Sequence, residues 1–490
     1  MKTLLTAEFV IGFDGEDHVI IENGQVVYED DTIIYVGKNY QGEYDDKIDA
    51  GRSVISPGFI DLNALGDIDH DILHIEAGEK GKNLMWSEDY FDEGPRRFMN
   101  QSEEAFKSLY AYTQLILNGV TTAMPITSVL YKKWAETYEE LVAAVHNAGN
   151  LGLRMYMGPS YQSGMKVVDQ DGKIKVRWKK EKGQVGLEQA VRFIKEFDGA
   201  YDNLIRGMFA PERIETQTTE NLVNTKKYSE ELNCPIRLHA AQSAFDYNEI
   251  QNRHGKTPIG YLNEIGFLGE NVSIPHAHFV DSYSQIDSES DQDLSILSET
   301  GTTVIHCPLI INRHCSPLES FAGYEKRGIN MAAGTDTFPP DFFQVIRNAS
   351  IVSRIVEHNV EGSRFADIFR AATIGGADYL NRDDLGRLCP GAKADIIIID
   401  LEGIHMGSIE DPIRTMFMSG SGRDVKTSII NGEIVMKDRQ IDGINIDSLK
   451  EKERKYFKKL KNSYVERDYQ KLGADKLFDP SFRKLDKKEL

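Results

Sequence analysis

Eight strand-like runs alternate with helical segments between residues 56 and 387, and this alternation limits the possible folds more than any other feature. The runs cover residues 56–63, 120–126, 152–159, 205–211, 235–241, 272–279, 302–307 and 330–336. The segment from Glu104 to Leu117 illustrates the helical pattern between them. Eight repeated β-strand and α-helix units predict an α/β fold of the (β/α)8 TIM-barrel type. In such a barrel the active site lies at the C-terminal ends of the strands.

Strand-like runs also occupy both ends of the chain. Short β-rich runs separated by Gly, Asn and Asp precede residue 55, and similar runs start again at Ala394, with a hairpin signal at Asn431-Gly432. We therefore predict a small β-sandwich built from residues 1–55 and 388–443, a barrel over residues 56–387, and a helical segment with a polar tail over residues 444–490. The long segment of residues 64–118 predicts a lid or an extended loop over the barrel mouth.

Charge and cysteine content exclude several classes of function. The 490-residue chain has 57 Lys and Arg against 77 Asp and Glu, and its formal net charge of -20 opposes binding to nucleic acid or to an anionic membrane. Its four cysteines lack CxxC spacing, so neither a disulfide framework nor a structural zinc site is predicted. No signal peptide or membrane-spanning run is recognisable. These features predict a cytoplasmic protein that binds a small molecule, and they are compatible with a homo-oligomer.

Polar residues lie at the ends of four successive predicted strands. His239, His276, His306 and Asp336 end strands five, six, seven and eight in that order. Because the strand ends of a barrel meet at one mouth, these side chains should converge there. Imidazoles together with a carboxylate suit a divalent transition metal such as zinc, iron or manganese.

A single histidine on a strand is more often a core residue than a ligand, so each candidate needs its own argument. We assign His278 to the core, because His276 fits the strand-end pattern better. His306 is left open between a hydrogen bond to a loop and a place in the pocket. For His239 and Asp336 the order and strand-end placement favour a functional role.

Five motifs occur in order along the chain. They are Pro57-Gly-Phe-Ile-Asp61, His239-Ala-Ala-Gln242, Pro275-His-Ala-His278, Ile305-His-Cys-Pro308 and Gly334-Thr-Asp-Thr-Phe-Pro339. Together they resemble the amidohydrolase superfamily, in its branch of cytosine deaminases and atrazine or triazine hydrolases. The resemblance runs from the N-terminal strands to about residue 440. It implies a metal-dependent barrel enzyme with a flanking β-sandwich.

The resemblance also implies a role for each matching residue. His239 corresponds to the metal ligand of strand five, and Asp336 to the carboxylate that binds metal and shuttles the proton of the attacking water. His276 corresponds to the histidine that ligates metal or polarises the substrate. Gln242 stands where many deaminases of this branch have the glutamate that protonates a ring nitrogen. A glutamine can donate a hydrogen bond there but cannot transfer a proton at neutral pH.

The chain departs from the family pattern on strand one. The family continues this strand as His-x-His, whereas Asn63 and Leu65 occupy the matching positions here. Losing two imidazoles must weaken metal affinity, so we predict at most one tightly held divalent ion, zinc before iron or manganese.

Replacement ligands could come from the acidic segment that follows strand one. Asp67, Asp69, His70 and His74 lie there, and a solvated acidic loop is the alternative interpretation. Residues immediately after a barrel strand emerge at the catalytic face. Four residues are therefore predicted to line the substrate pocket: Asn63, Asp67, Asp69 and His306.

Two functions from different classes follow. The first is a metal-dependent hydrolase of carbon–nitrogen bonds that deaminates a small heterocycle, with hydrolytic dechlorination as a variant. His239, His276 and Asp336 support it. The alternative is a metal-free barrel with a binding or regulatory role, or with acid–base chemistry. Asn63, Leu65 and Gln242 support that alternative.

Overall fold

The computed structural model describes residues 1–68, 78–94, 98–126, 134, 136–288 and 290–485. Five strands precede the barrel: β1 (Lys2–Phe13), β2 (His18–Glu29), β3 (Thr32–Gly37), β4 (Asp46–Asp49) and β5 (Ser53–Pro57). The strands of the middle of the chain are β6 (Phe59–Leu65), β7 (Trp86–Ser87), β8 (Val120–Ile126), β9 (Arg154–Met157), β10 (Ser160–Tyr161), β11 (Gly164–Val168), β12 (Ile174–Trp178), β13 (Ile205–Gly207), β14 (Ala210–Pro211), β15 (Ile236–Arg237), β16 (Val272–Pro275), β17 (Thr303–His306) and β18 (Met331–Ala333). Three strands follow: β19 (Ile396–Asp400), β20 (Val425–Ile430) and β21 (Glu433–Met436).

Eight parallel strands form the barrel that the alternating pattern predicts. They pair in two runs, β6-β8-β9-β13 and β15-β16-β17-β18. A parallel bridge between Phe209 and Ile236 joins the two runs on one side. On the other side the backbone N–H of Asp336 donates to the carbonyl of Asn63 at 3.0 Å. The first and last strands therefore meet at the end of the barrel that carries the predicted site.

The first barrel strand differs from the predicted residues 56–63, because Gly58 divides that stretch. Ser56 and Pro57 belong to β5 in the flanking sheet, and β6 starts at Phe59. A Cβ atom on Gly58 would lie 2.1 Å from Thr121 Cγ2, so only glycine lets the chain cross against the neighbouring strand. The crossing point connects the flanking sheet directly to the strand that carries Asn63.

Both chain ends contribute to one mixed sheet of eight strands beside the barrel. Its order is β21-β20-β19-β5-β1-β2-β3, and β4 pairs with β1. Apolar side chains from both ends, such as Leu5, Ile55, Ile396 and Ile429, are fully buried in its core. The sequence therefore predicted correctly that the two ends fold together, while the domain limits at residues 55, 387 and 443 stay predictions.

Seventeen α-helices lie in the described residues, and most follow barrel strands. They are α1 (Glu88–Glu93), α2 (Gln101–Leu117), α3 (Tyr138–Leu151), α4 (Lys180–Phe197), α5 (Ala200–Asn203), α6 (Thr219–Leu232), α7 (Ala244–His254), α8 (Pro258–Glu264), α9 (Gln292–Thr300), α10 (Pro308–Arg313), α11 (Phe321–Lys326), α12 (Phe342–Glu357), α13 (Phe365–Arg370), α14 (Gly376–Tyr379), α15 (Pro412–Ser419), α16 (Ile446–Arg467) and α17 (Ala474–Leu477). Shorter 3-10 segments are Gly78–Leu84, Ile214–Thr216, Ile404–Met406 and Gly422–Asp424, and Ala371–Gly375 forms a π-helical turn.

Local sequence explains where the long helices begin and end. Asn100 and Glu103 form a reciprocal capping box that starts α2. Gly152 ends α3 in the left-handed conformation, at a φ of 69°. No described helix combines the length and the apolar character that crossing a membrane requires.

His18 joins the flanking sheet to the barrel and gives the fold a pH-dependent contact. Its ring contacts Phe369 at 4.9 Å between centroids, and its Nε2 lies 2.9 Å from Thr373 Oγ1. Burial lowers the pKa of His18 to about 4. The unfolded chain takes up a proton near pH 6.5, so between pH 6.5 and 4 it binds more protons than the folded protein at this site.

We therefore expect His18 to reduce the free energy of unfolding as the pH falls below 6.5. The loss is at most about 1.4 kcal/mol per pH unit, the slope for one proton bound only by the unfolded chain. Replacing His18 with glutamine removes this titration. Urea unfolding at pH 7.5, 6.0 and 5.0 should therefore show wild type losing more stability than His18→Gln on acidification. Parallel losses in the two proteins would contradict the assignment.

Candidate active site

The ends of strands six, seven and eight bring three potential metal ligands together. His276, Cys307 and Asp336 are all buried, and each offers a donor atom within 4.8 Å of the other two. His276 Nε2 lies 3.3 Å from Asp336 Oδ2. His276 has a φ of 71° and Asp336 a φ of 41°. These left-handed conformations are costly for residues other than glycine, and such strain concentrates at functional sites.

His276 is the least satisfied polar side chain of the group. It is fully buried, and neither of its ring nitrogens has a hydrogen-bond partner among the described residues. A buried imidazole without partners costs free energy, because it has lost its contacts with water. A metal ion bound to a ring nitrogen would supply the missing partner.

His239 lies next to His276 in a fixed orientation. The two ring centroids are 5.7 Å apart. His239 Nδ1 lies 3.0 Å from the backbone carbonyl of Glu212, a geometry in which Nδ1 carries the proton and donates it. The Nε2 lone pair is then free to bind a metal, as in many metal-binding histidines. Burial, aided by the Arg213 charge, holds the pKa of His239 well below its usual value, so the ring is neutral.

Asn63 faces Cys307 across the mouth. Its Nδ2 donates to Cys307 Sγ at 3.7 Å, and its buried Oδ1 has no partner among the described residues. Gly334 lies against both side chains: a Cβ there would be 2.7 Å from Asn63 Cβ and 3.1 Å from Cys307 Sγ. The absence of a side chain at Gly334 thus lets strands one, seven and eight approach closely. Leu65 is partly exposed at the end of β6.

Asp61 ties strand one to strand eight directly beneath the site. It accepts hydrogen bonds from Thr335 N at 3.0 Å, Thr335 Oγ1 at 2.6 Å and Asn63 N at 3.2 Å. Complete burial raises the pKa of Asp61 to about 6, against the lowering effect of these bonds. The carboxyl therefore holds the residues on either side, Asn63 and Asp336, in place.

Gln242 lies beside the site and is oriented by an arginine. Arg213 Nη1 donates to Gln242 Oε1. Because the guanidinium can only donate, it fixes the amide oxygen on its own side and leaves Gln242 Nε2 as a donor. The backbone N–H of Gln242 donates to Asp246 Oδ2 at 3.1 Å, which anchors the residue at the start of α7.

His278 and His306, the other two histidines considered at the strand ends, have different environments. His278 Nε2 lies 2.8 Å from Ser316 Oγ, which gives its buried ring a polar partner. His306 is buried and contacts the Phe321 ring at 5.8 Å between centroids. Its Nδ1 has no partner among the described residues, and burial lowers the pKa of His306 to about 3. His306 is therefore neutral, and its place in the substrate pocket stays a prediction.

The structure describes only part of the acidic segment after strand one. Asp67 is fully buried and forms an ion pair with Lys107 of α2 at 2.9 Å. Asp69, His70 and His74 lie outside the described residues. The predicted roles of Asp67 and Asp69 in the substrate pocket stay predictions.

Sequence reasoning missed three buried polar residues near the mouth, namely Asp61, Arg237 and Cys307. Arg237 precedes His239 by two residues, and the two-residue period of a strand could have placed both on the inward face. Its guanidinium donates to the carbonyls of Leu62 and Met124 on strands one and two. Cys307 carried no sequence signal beyond its position next to His306.

The donor set fits a divalent metal ion. The donor atoms of His276, Cys307 and Asp336 lie within 4.8 Å of one another in buried positions, and the centroid of the His239 ring lies 5.7 Å from that of His276. Divalent transition metals are bound by these groups. The residues thus support one divalent ion at this mouth.

The chain is similar in sequence to a known protein family and to deaminases of other organisms. The sequence matches the model of the amidohydrolase family over residues 54–435. It is 26% identical over 428 residues to a 5'-deoxyadenosine deaminase of Methanosarcina acetivorans, covering 86% of this chain and 90% of that protein. It is also 26% identical over 433 residues to a 5-methylthioadenosine/S-adenosylhomocysteine deaminase of Pyrococcus abyssi, covering 87% of this chain and 92% of that protein.

Solved structures agree with the fold. An adenosine deaminase from Xanthomonas campestris with bound zinc superposes with a TM-score of 0.75 at 16% identity, covering 94% of this chain and 98% of that one. The atrazine chlorohydrolase from Arthrobacter aurescens complexed with zinc gives a TM-score of 0.77 at 17% identity, covering 93% of this chain and 100% of that one. These similarities confirm the predicted barrel architecture.

Proposed function

Since the chain belongs to the amidohydrolase family and is a hydrolase of carbon–nitrogen bonds, we propose that it removes an amino group from a small heterocycle with the help of one divalent metal ion. Zinc is the first choice, with iron and manganese as alternatives. The observation that carries the proposal is the buried His276 ring, whose nitrogens accept or donate no hydrogen bond among the described residues and whose Nε2 lies 3.3 Å from Asp336 Oδ2. The deaminases among the relatives and the zinc in two similar structures support it.

His239, His276 and Asp336 would hold the ion, which supplies Lewis-acid chemistry that makes water nucleophilic near neutral pH. Asp336 accepts a proton from the attacking water and passes it to the leaving nitrogen. The water oxygen first bonds to the ring carbon, and the bond from that carbon to the amino nitrogen breaks once this nitrogen has taken up the proton from Asp336. The products are the hydroxylated heterocycle, in its keto form, and ammonia.

Gln242 orients the substrate rather than transferring a proton. Its Nε2 donates a hydrogen bond to an acceptor of the heterocycle, while Arg213 holds the amide oxygen on the opposite side. Such a bond polarises a ring nitrogen without protonating it. We therefore expect electron-poor heterocycles to react faster than adenine-like ones, because they need less activation at the ring nitrogen.

Metal analysis tests this proposal with little dependence on the substrate. Protein purified without chelators should contain about one equivalent of divalent metal, and His239→Ala should contain much less. Strand one lacks the family's His-x-His pair, so a second equivalent of metal is not expected. Ammonia release from a panel of aminopurines, aminopyrimidines and aminotriazines should fall on chelation and return when zinc is added.

His405→Ala provides the matched control. His405 lies on the surface, where its Nε2 is 3.2 Å from Asp424 Oδ1 and its side chain is 48% exposed. The metal content of His405→Ala should equal that of wild type. Metal-free wild-type protein that still releases ammonia at full rate would exclude the metal-dependent mechanism and favour metal-free acid–base chemistry in the same barrel.

A further inference from the structure

Cys307 occupies the side of the metal site that the missing imidazoles of strand one leave unfilled. It directly follows strand seven, it is fully buried, and its Sγ accepts a hydrogen bond from Asn63 Nδ2. Asn63 stands at the first position of the absent His-x-His pair. The sulfur therefore faces the same space from which a strand-one ligand would approach.

The distances suit one small ion. The donor atoms of His276, Cys307 and Asp336 all lie within 4.8 Å of one another. Donors placed tetrahedrally at about 2.0–2.3 Å from zinc are separated by roughly 3.3–3.8 Å. The 3.3 Å between His276 Nε2 and Asp336 Oδ2 already meets this separation. Movements of about 1 Å, within the range of side-chain rotations, would bring the sulfur to the same distance.

On the basis of the proposed metal-dependent function, we propose that Cys307 is a thiolate ligand of the metal and replaces the imidazoles of strand one. The donor set is then His239, His276, Asp336 and Cys307, and the attacking water would be a fifth ligand. The thiol proton is released to solvent when the sulfur binds the ion. One thiolate and one carboxylate balance the two charges of the ion, and sulfur favours zinc over magnesium, calcium or manganese.

The surroundings of the sulfur support a ligand role over simple core packing. The Asn63 Nδ2–H group donates to Sγ, a contact that would stabilise the negative charge of a thiolate. Gly334 provides the room in which Asn63 and Cys307 meet, since a Cβ there would lie 3.1 Å from Sγ. Among the described residues, the other three cysteines belong to no cluster of potential ligands.

Cobalt substitution tests the proposal, because a thiolate bound to Co(II) gives a charge-transfer absorption band in the near ultraviolet. Three proteins are compared: wild type, Cys307→Ser, and the triple variant Cys234→Ser/Cys315→Ser/Cys389→Ser, which keeps only Cys307. Wild type and the triple variant should show the band at one equivalent of cobalt. Cys307→Ser should lose the band and bind zinc about 10-fold more weakly or worse.

The outcomes separate this inference from the function on which it rests. If wild type binds cobalt without the band and Cys307→Ser keeps wild-type zinc affinity, the thiolate proposal is wrong, while a metal-dependent hydrolase remains. If wild type binds neither cobalt nor zinc, both proposals fail. If Cys307→Ser does not fold, the triple variant alone decides. A band in its spectrum supports Cys307 as a metal ligand, and cobalt binding without the band refutes that role.

Discussion

Replacing Asp336 with asparagine is expected to lower the turnover number about 10³-fold while leaving the fold intact. The amide keeps the shape of the carboxylate but cannot accept a proton, and positioned acid–base groups contribute about 10²–10⁴-fold to catalysis. Asp336 lies at the mouth, where its Oδ2 is 3.3 Å from His276 Nε2 and its own N–H donates to Asn63. Turnover of the best substrate at saturating zinc measures the effect.

Saturating zinc is essential to this experiment, because it separates two roles of the carboxylate. If Asp336 only binds the ion, excess zinc should restore turnover. If it also moves the proton, turnover stays low at every zinc concentration. Asp447→Asn is the matched control, since Asp447 lies at the start of α16 with a side chain that is 92% exposed. An Asp336→Asn enzyme within tenfold of wild type would refute the assigned role.

The barrel was predictable because its strands are local patterns. Apolar runs such as the one that ends at His276 indicate buried strands. The C-terminal ends of parallel strands lie at the same end of a barrel. The order of His239, His276 and Asp336 along the chain therefore predicts that they lie at one mouth. The first strand was predicted less well, because its limits depend on the contact between Gly58 and Thr121.

The contacts inside the mouth could not be predicted, because they join residues far apart in sequence. Asn63 and Cys307 are 244 residues apart, and they meet only once the barrel has closed. Asp61 and Thr335 are 274 residues apart. Neither pair has a residue pattern of its own, and each depends on the register between strand one and strands seven and eight.

Replacing Arg237 with methionine is expected to lower the free energy of unfolding by about 3–5 kcal/mol, because three buried carbonyls each lose a donor at roughly 1–3 kcal/mol. Arg237 is 3% exposed, and its guanidinium donates to the carbonyls of Leu62 at 3.2 Å, Met124 at 2.7 Å and Pro125 at 2.9 Å. Methionine fills a similar volume but removes the donors that Arg237 provides to these three carbonyls. Urea unfolding near pH 7.5 measures the loss.

Two further variants show whether those bonds are the cause. Arg237→Lys keeps the charge but has one donor group, so it cannot span the carbonyls of both strands and should lose an intermediate amount of stability. Arg414→Met, at a surface site whose side chain is 71% exposed, should change stability by less than about 0.5 kcal/mol. A loss below about 1 kcal/mol in Arg237→Met would mean that the carbonyls find other donors. A loss in the expected range would mean that Arg237 of strand five holds the ends of strands one and two in place. The end of strand one is also where this chain lacks the two imidazoles of the family pattern.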